Sequence, residues 1–188
     1  MKTLEEVYAT LPTNGWLSYP ESELLYTAAQ QTEGPILEVG CYYGRSTVLL
    51  TSLDRLVTTV DSFKNFDSDD PSGEHVYGHF WSNIRSRGIH NIILQKQPIE
   101  EWLPDRIYDF AYLDGDHTYQ GTINQIQVAL CAGVRSMCIH DYAKSGGGVE
   151  VAKAIMDSPI KIVNLVERMA HCVHEDEPDE NYLLGGCP

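Results

Sequence analysis

Short apolar runs alternate along the chain with segments whose apolar residues recur at helical spacing. Six runs predict β-strands, at 36–39, 56–60, 91–94, 108–113, 135–139 and 160–166. The helical spacing predicts helices at 4–11, 20–31, 45–53, 77–88, 118–131 and 149–156. Strands that alternate with helices favour right-handed crossovers, and therefore a doubly wound, mostly parallel α/β sheet with helices on both faces.

The remaining segments complete a single predicted domain over residues 1–188. Residues 1–33 are expected to form an N-terminal helical cap, and 175–188 a loosely held tail.

His171-Cys172-Val173-His174 alternates as an exposed edge strand does, which explains its two histidines more simply than a metal site would. Residues 64–76 carry four acids, a proline and a glycine, and are predicted to be a lid that orders over ligand.

Composition narrows the classes of partner. Lys and Arg number 13 against 27 Asp and Glu, a net charge of −14 that would repel a nucleic-acid backbone. No apolar run approaches the roughly 18 residues of a membrane span. The first residues lack the apolar stretch of a signal peptide. No two of the five cysteines have C-x-x-C spacing, so the sequence indicates neither a disulfide framework nor a zinc ribbon. We therefore expect a cytoplasmic protein, with homo-oligomerisation left open.

The ends of the predicted strands carry most of the candidate chemistry. In open parallel sheets, ligands bind outside the carboxyl ends of the strands. The first five ends are Glu38-Val39-Gly40, Asp61, Gln95-Lys96-Gln97, Asp114-Gly115-Asp116-His117 and His140-Asp141, and all but Gln95-Lys96-Gln97 bear acids.

The first strand end predicts a nucleoside-binding turn. Gly40 and Gly44 permit a tight turn and a close approach to ligand, and Asp61 follows Gly40 by 21 positions. A carboxylate there can accept hydrogen bonds from both ribose hydroxyls. The spacing is G-x-x-x-G, not the G-x-G-x-x-G of a dinucleotide loop, and no lysine follows as in a P-loop.

These motifs together resemble the class I S-adenosylmethionine-dependent methyltransferases. The resemblance lies in E-V-G-x-x-x-G-R-S at 38–46 with Asp61, in 109–119, and in 133–142 with its H-D-Y ending. It covers roughly residues 16–156, and the branch most similar is that of macrocin O-methyltransferase and cephalosporin hydroxylase. The resemblance implies a Rossmann-like sheet of seven strands in the order 3-2-1-4-5-7-6, the seventh antiparallel. It also implies methyl transfer to a hydroxyl of a small molecule.

The resemblance also assigns the cofactor residues. Gly40, Tyr42 and Gly44 would line the methionine part of S-adenosylmethionine, with Glu38 ordering the loop. Ser46 would cap the following helix or meet the cofactor carboxylate, Asp61 would hold the ribose, and Gln97 would lie by the adenine. Asp114 would border the same site.

The acids after the fourth and fifth strands predict a metal or proton-transfer site. Asp114 and Asp116 are two apart, so an extended chain would place them on one side, near His140 and Asp141. With no basic residue in either motif, a divalent cation would relieve their repulsion. It would also lower the pKa of a substrate hydroxyl.

The macrocin-like branch sharpens these roles but leaves two alternatives. It implies metal ligation at Asp114, His140 and Asp141, with Asp116 as the catalytic base. Its three ligands are acids, so His140 favours Mn²⁺ or Fe²⁺ over Mg²⁺, or a metal-free site in which His140 is itself the base. Asp116 could also cap the next helix, and His117 fits a loop residue better than a catalytic one.

Two other classes of function stay open at this stage. One is a non-catalytic protein that binds an S-adenosyl ligand, and the other is a metal-dependent hydroxylase or hydrolase that uses the acid cluster alone.

Overall fold

A computed structural model describes residues 3–64 and 72–175. Its centre is one seven-stranded sheet in the order β3-β2-β1-β4-β5-β7-β6, which confirms the predicted topology. The strands are β1 Ile36–Val39, β2 Val57–Val60, β3 Ile92–Gln95, β4 Phe110–Leu113, β5 Ser136–Ile139, β6 Lys161–Val166 and β7 Met169–Val173. Only β7 runs antiparallel to its neighbours.

Six α-helices of the described segments flank the sheet. They are α1 Leu4–Tyr8, α2 Tyr19–Gln30, α3 Arg45–Thr51, α4 Glu74–Ser86, α5 Tyr119–Cys131 and α6 Val149–Met156. Strands β1, β2 and β4 are buried along their whole length, because apolar side chains pack on both faces of the sheet. Buried parallel strands read as continuous apolar runs, and this is why the pattern predicted them.

Helix α2 is positioned by a capping box that also contributes to the site. The Ser18 hydroxyl accepts from the Glu21 backbone N–H, and the Glu21 carboxylate accepts from the Ser18 N–H. This arrangement fixes a carboxylate, which is buried, at the start of the helix.

The prediction of an exposed edge strand at 171–174 is wrong. Strand β7 is buried from Met169 to Cys172 because it lies between β5 and β6, and β6 forms the edge. The Ser136 hydroxyl and Nε2 of His171 are 2.9 Å apart, so His171 has a structural partner inside the sheet.

Two predicted flexible segments are only partly described. Helix α4 begins at Glu74, earlier than the predicted start at 77, so the end of the predicted lid is helical. Residues 65–71 of that lid, and 176–188 of the predicted tail, lie outside the described residues. Among the helices described, none has the length and apolar character needed to span a membrane.

Candidate functional site

The turn after β1 requires glycine at its first position. Gly40 has φ +79°, and a Cβ there would lie 2.2 Å from the carbonyl oxygen of Asp114. The backbone N–H of Asp114 in turn donates to the carbonyl of Val39. The ends of β1 and β4 are therefore in direct backbone contact, which leaves no room for a side chain.

Gly44 and Tyr42 shape the rest of this turn. Gly44, at φ +85°, is the N-cap of α3, and a Cβ there would pack against Phe80. Tyr42 has φ +49°, a conformation uncommon for a residue with a side chain. The structure thus confirms a tight glycine turn, while Gly44 faces the core behind it.

Glu38 is buried beneath the turn and its carboxylate is fully engaged. It accepts hydrogen bonds from three hydroxyls, those of Ser46 at 2.6 Å, Thr47 at 2.6 Å and Thr59 at 2.7 Å. Burial raises the pKa of Glu38 to about 7, although these three bonds act in the opposite direction. Glu38 therefore joins β1 to the start of α3 and to β2 from a position without access to solvent.

Ser46 does not have its predicted capping role. Its hydroxyl donates to Glu38, whereas the N-cap of α3 is Gly44 with no side-chain cap. A serine at a helix start is typical of a cap, but here the Ser46 hydroxyl is used in the hydrogen bond to the buried Glu38 carboxylate.

Asp61 follows β2 and holds the turn from the other side. Its Oδ2 accepts from the backbone N–H groups of Cys41 at 2.8 Å and Tyr42 at 3.1 Å, and its Oδ1 accepts from Phe63 at 2.7 Å. The side chain is nearly buried, but it still lines a cavity together with Gln97. Asp61 thus has a structural duty that the sequence did not predict.

A second group of polar side chains meets beyond β4 and β5. Asp114, His140 and Asp141 each offer one ligand atom, and these atoms all lie within 4.8 Å of one another. His140 Nδ1 is 3.4 Å from Asp114 Oδ1 and 3.8 Å from Asp141 Oδ2. Ligand atoms about 2.0–2.3 Å from a cation would have similar separations, so the donor set fits a divalent ion.

The acids of this cluster already have basic side chains as partners. The guanidinium of Arg168 lies 2.7 Å from Asp141, and the two nitrogens of His117 lie 3.0 Å from Asp141 and 3.3 Å from Asp114. Burial would raise the pKa of Asp114, but its bonds to His117 and His140 lower it to about 2. The prediction of unbalanced acids was wrong because Arg168 arrives from the turn between β6 and β7.

His140 lies between carboxylates on both sides of its ring. Its Nε2 is buried, without a hydrogen bond of good geometry, 3.3 Å from Oε1 of Glu21. Burial lowers its pKa, but Asp114, Asp141 and Glu21 outweigh that effect and raise it to about 12. Without a metal, an imidazole of this kind is poorly suited to the predicted role of base.

Asp116 does not join the cluster. Its Oδ1 accepts from the backbone N–H of Thr118 at 2.9 Å, and its carboxyl packs over Gly121. Strand β4 ends at Leu113, so the alternation that would put Asp114 and Asp116 on one side no longer applies. The N-cap of α5 is Thr118, so the alternative prediction that Asp116 caps this helix is also wrong.

Among the described residues, two neighbouring cavities border the glycine turn after β1. The larger, about 620 Å³, is bordered by the polar cluster together with Glu21, Trp16 and Tyr42. The smaller, about 470 Å³, is bordered by Asp61, Gln97 and Asp116. They share Gly40, Gly115 and His117.

Sequence reasoning missed four residues of this site, namely Trp16, Glu21, His117 and Arg168. His117 was assigned to the loop, although its spacing of three from Asp114 offered a signal. Glu21 and Arg168 are distant from the cluster in sequence, and only the packing of α2 and of the β6–β7 turn brings them there. Trp16 lies in a loop with no motif.

Comparison with known families identifies the family to which the chain belongs. The sequence profile of a family described as a methyltransferase domain matches residues 37–141, more than half of the chain. That range runs from β1 to Asp141 and so contains both strand-end groups. No curated protein matches the chain significantly.

Solved structures of methyltransferases share the fold. A Podospora anserina methyltransferase bound to SAH has a TM-score of 0.65 at 14% identity, over 92% of this chain and 88% of its own. The O-methyltransferase TomG of Streptomyces achromogenes, in complex with SAM, has 0.61 at 14% identity, over 91% and 88%. An O-methyltransferase of Bacillus cereus, in complex with SAH, has 0.60 at 18% identity, over 92% and 90%.

Proposed function

Since the chain belongs to the methyltransferase-domain family, we propose that it transfers a methyl group from S-adenosylmethionine to a hydroxyl of a small molecule. The observation that carries this proposal is the pair of cavities with a common border at Gly40, Gly115 and His117. A donor and an acceptor that occupy adjoining spaces can bring a sulfonium methyl and a hydroxyl oxygen together at that border.

The donor side is supported by the smaller cavity. Asp61 presents a carboxylate and Gln97 borders the same space, as expected for ribose and adenine. The glycine turn continues from this cavity into the larger one. Solved structures of this fold with SAM or SAH bound are consistent with such a donor.

The acceptor side is supported by the polar floor of the larger cavity, which consists of Asp114, His117, His140 and Asp141. His117 has a side chain that is 42% exposed and borders both cavities. The bond to Asp114 and the charges of Asp114 and Asp141 raise the pKa of His117. A hydroxyl that replaces one of these carboxylates at a ring nitrogen of the neutral imidazole can pass its proton to that nitrogen. The oxygen then bonds to the methyl carbon as the carbon–sulfur bond breaks, which makes His117 our candidate base in place of Asp116.

A divalent cation fits the same floor. Asp114, Asp141 and His140 would hold it, and its chemistry would be to lower the pKa of a bound hydroxyl. The imidazole favours Mn²⁺ over Mg²⁺. Because Arg168 already neutralises part of this charge, we expect the cation to bind weakly unless the acceptor also contributes an oxygen.

Calorimetry with S-adenosylhomocysteine tests the donor site directly. Binding by the wild type, together with release of S-adenosylhomocysteine from S-adenosylmethionine and a hydroxylated acceptor, supports the proposal. Binding without turnover across a broad screen supports the non-catalytic alternative. Binding of Mn²⁺ in a protein that does not bind S-adenosylhomocysteine supports a hydroxylase or hydrolase.

A chelation arm then tests the cation. Turnover that falls after EDTA treatment and returns with Mn²⁺ supports a metal role, and full turnover after chelation contradicts it. The cytoplasmic location, the absence of a nucleic-acid partner and a homo-oligomeric state stay predictions.

A further inference from the structure

The most exposed large apolar side chain among the described residues borders the proposed acceptor cavity. Trp16 is 77% exposed and lies in the loop between α1 and α2. Its indole N–H makes no hydrogen bond in the part of the chain that the structure describes. An indole left open to water beside a cavity is a strong candidate for ligand contact.

Trp16 is stacked, so its ring has a defined orientation. Its ring lies 5.2 Å from that of Tyr42 at an interplanar angle of 28°, and Tyr42 contacts Tyr43 at 4.1 Å. All three residues border the larger cavity. They form a continuous aromatic wall beside the polar floor.

The loop that carries Trp16 is fixed by Arg45. The Nε of Arg45 donates to the carbonyl of Leu17 at 3.0 Å, and its Nη1 donates to the carbonyl of Pro12. The guanidinium also lies over the ring of Tyr8. These bonds hold the loop at both ends, so the wall is largely formed before ligand binds.

We propose that Trp16 determines acceptor specificity by stacking on a planar aromatic ring that carries the reacting hydroxyl. This inference rests on the proposed function. The wall offers π-faces, whereas its polar groups are at the floor, where a hydroxyl must reach Asp114 and His117. A sugar is the alternative ligand, because it also stacks on tryptophan and could bond at its edges to the phenol groups of Tyr42 and Tyr43.

Calorimetry with catechol, added to protein saturated with S-adenosylhomocysteine, tests the proposal. We expect Trp16→Ala to weaken catechol binding by about 10-fold, because a lost stacking contact is typically of that size. Trp16→Phe keeps a flat ring and should stay within about 3-fold of the wild type. Leu103→Ala, at a site that is 76% exposed and borders neither cavity, is the matched control and should change nothing.

The outcomes separate this inference from the function beneath it. Equal catechol affinity in the wild type and Trp16→Ala overturns it, and so does tighter binding of methyl glucopyranoside than of catechol. If S-adenosylhomocysteine binds and catechol does not, the acceptor class is wrong while the methyltransferase proposal stands. If S-adenosylhomocysteine itself fails to bind, both are wrong.

Discussion

The two groups of acids at the strand ends are stabilised by different kinds of partner. After β1 and β2, Glu38 and Asp61 accept hydrogen bonds only from neutral donors, three hydroxyls in one case and three backbone N–H groups in the other. After β4 and β5, Asp114 and Asp141 face His117, His140 and Arg168.

This difference separates a structural region from a reactive one. Neutral donors fixed by the fold hold the glycine turn in one shape, and their acids are almost inaccessible to solvent. Histidine partners can exchange protons, and both histidine and arginine side chains can rotate or yield to a ligand. Asp114 and Asp141 are only half-buried. The comparison predicts that changes in the first region affect folding and donor binding, whereas changes in the second affect turnover.

The largest expected effect comes from His117. His117→Ala removes a side chain that borders both cavities and is our candidate base, so we expect turnover to fall by about 10²–10⁴-fold, the usual contribution of a general base. Affinity for S-adenosylhomocysteine should change by less than about 3-fold, because the donor contacts remain. Steady-state kinetics and calorimetry on the same preparations measure both.

His90→Ala is the control for this substitution. His90 is exposed and borders neither cavity, so its loss should leave turnover unchanged. A His117→Ala protein with wild-type turnover would show that the reactive region needs no base at this position.

Gly40 tests the contact between the two regions. Gly40→Ala adds a methyl group 2.2 Å from the Asp114 carbonyl and places alanine at φ +79°. Overpacking and backbone strain of this kind cost about 2–5 kcal/mol of unfolding free energy together. Urea denaturation measures the loss.

Gly78→Ala is the matched control. Gly78 lies inside α4, and a Cβ added there would meet no atom within 4 Å, so alanine should stabilise the protein by about 0.5–1 kcal/mol. Equal effects of the two substitutions would contradict the close backbone approach at Gly40.

Glu38 makes the structural region pH-sensitive. Its folded pKa of about 7 lies above the ordinary value of 4.5, so the folded protein keeps a proton that the unfolded chain loses in between. Stability should therefore fall as pH rises from 4.5 through 7, by up to about 3 kcal/mol at 1.36 kcal/mol for each pH unit.

Glu38→Gln should remove this slope, because glutamine does not titrate. Urea denaturation at several pH values between 4.5 and 8 compares the two proteins, with Glu33→Gln at an exposed position as the control. Parallel stability profiles for the wild type and Glu38→Gln would mean that the hydroxyl bonds fully compensate burial.

Sequence patterns predicted most strands of the sheet, because a strand buried on both faces has a continuous apolar run in the sequence. The run Ile36 to Val39 and the glycine after it are contiguous, and so the strand and its turn could be recognised together. The position of β7 came from the family resemblance and not from the local pattern, because an edge strand differs from an inner one only in its pairing with distant strands.

The site was predicted in part for a similar reason. Asp114, His140 and Asp141 converge because neighbouring parallel strands end together, which strand order alone implies. Asp116 was misplaced because the strand ends before it, and Glu21 arrives through the packing of α2, which no local pattern encodes.

Asp61 gives the smallest of these effects and distinguishes its two roles. Asp61→Ala removes the acceptor for three backbone N–H groups and for the predicted ribose hydroxyls. We expect affinity for S-adenosylhomocysteine to fall by about 10-fold, the equivalent of losing one bond to a charged group at about 1.5 kcal/mol. Asp61→Asn keeps the shape and part of the acceptor capacity, so it should lie between. If calorimetry finds full affinity in Asp61→Ala while urea denaturation finds reduced stability, Asp61 serves the turn alone and the ribose assignment is wrong.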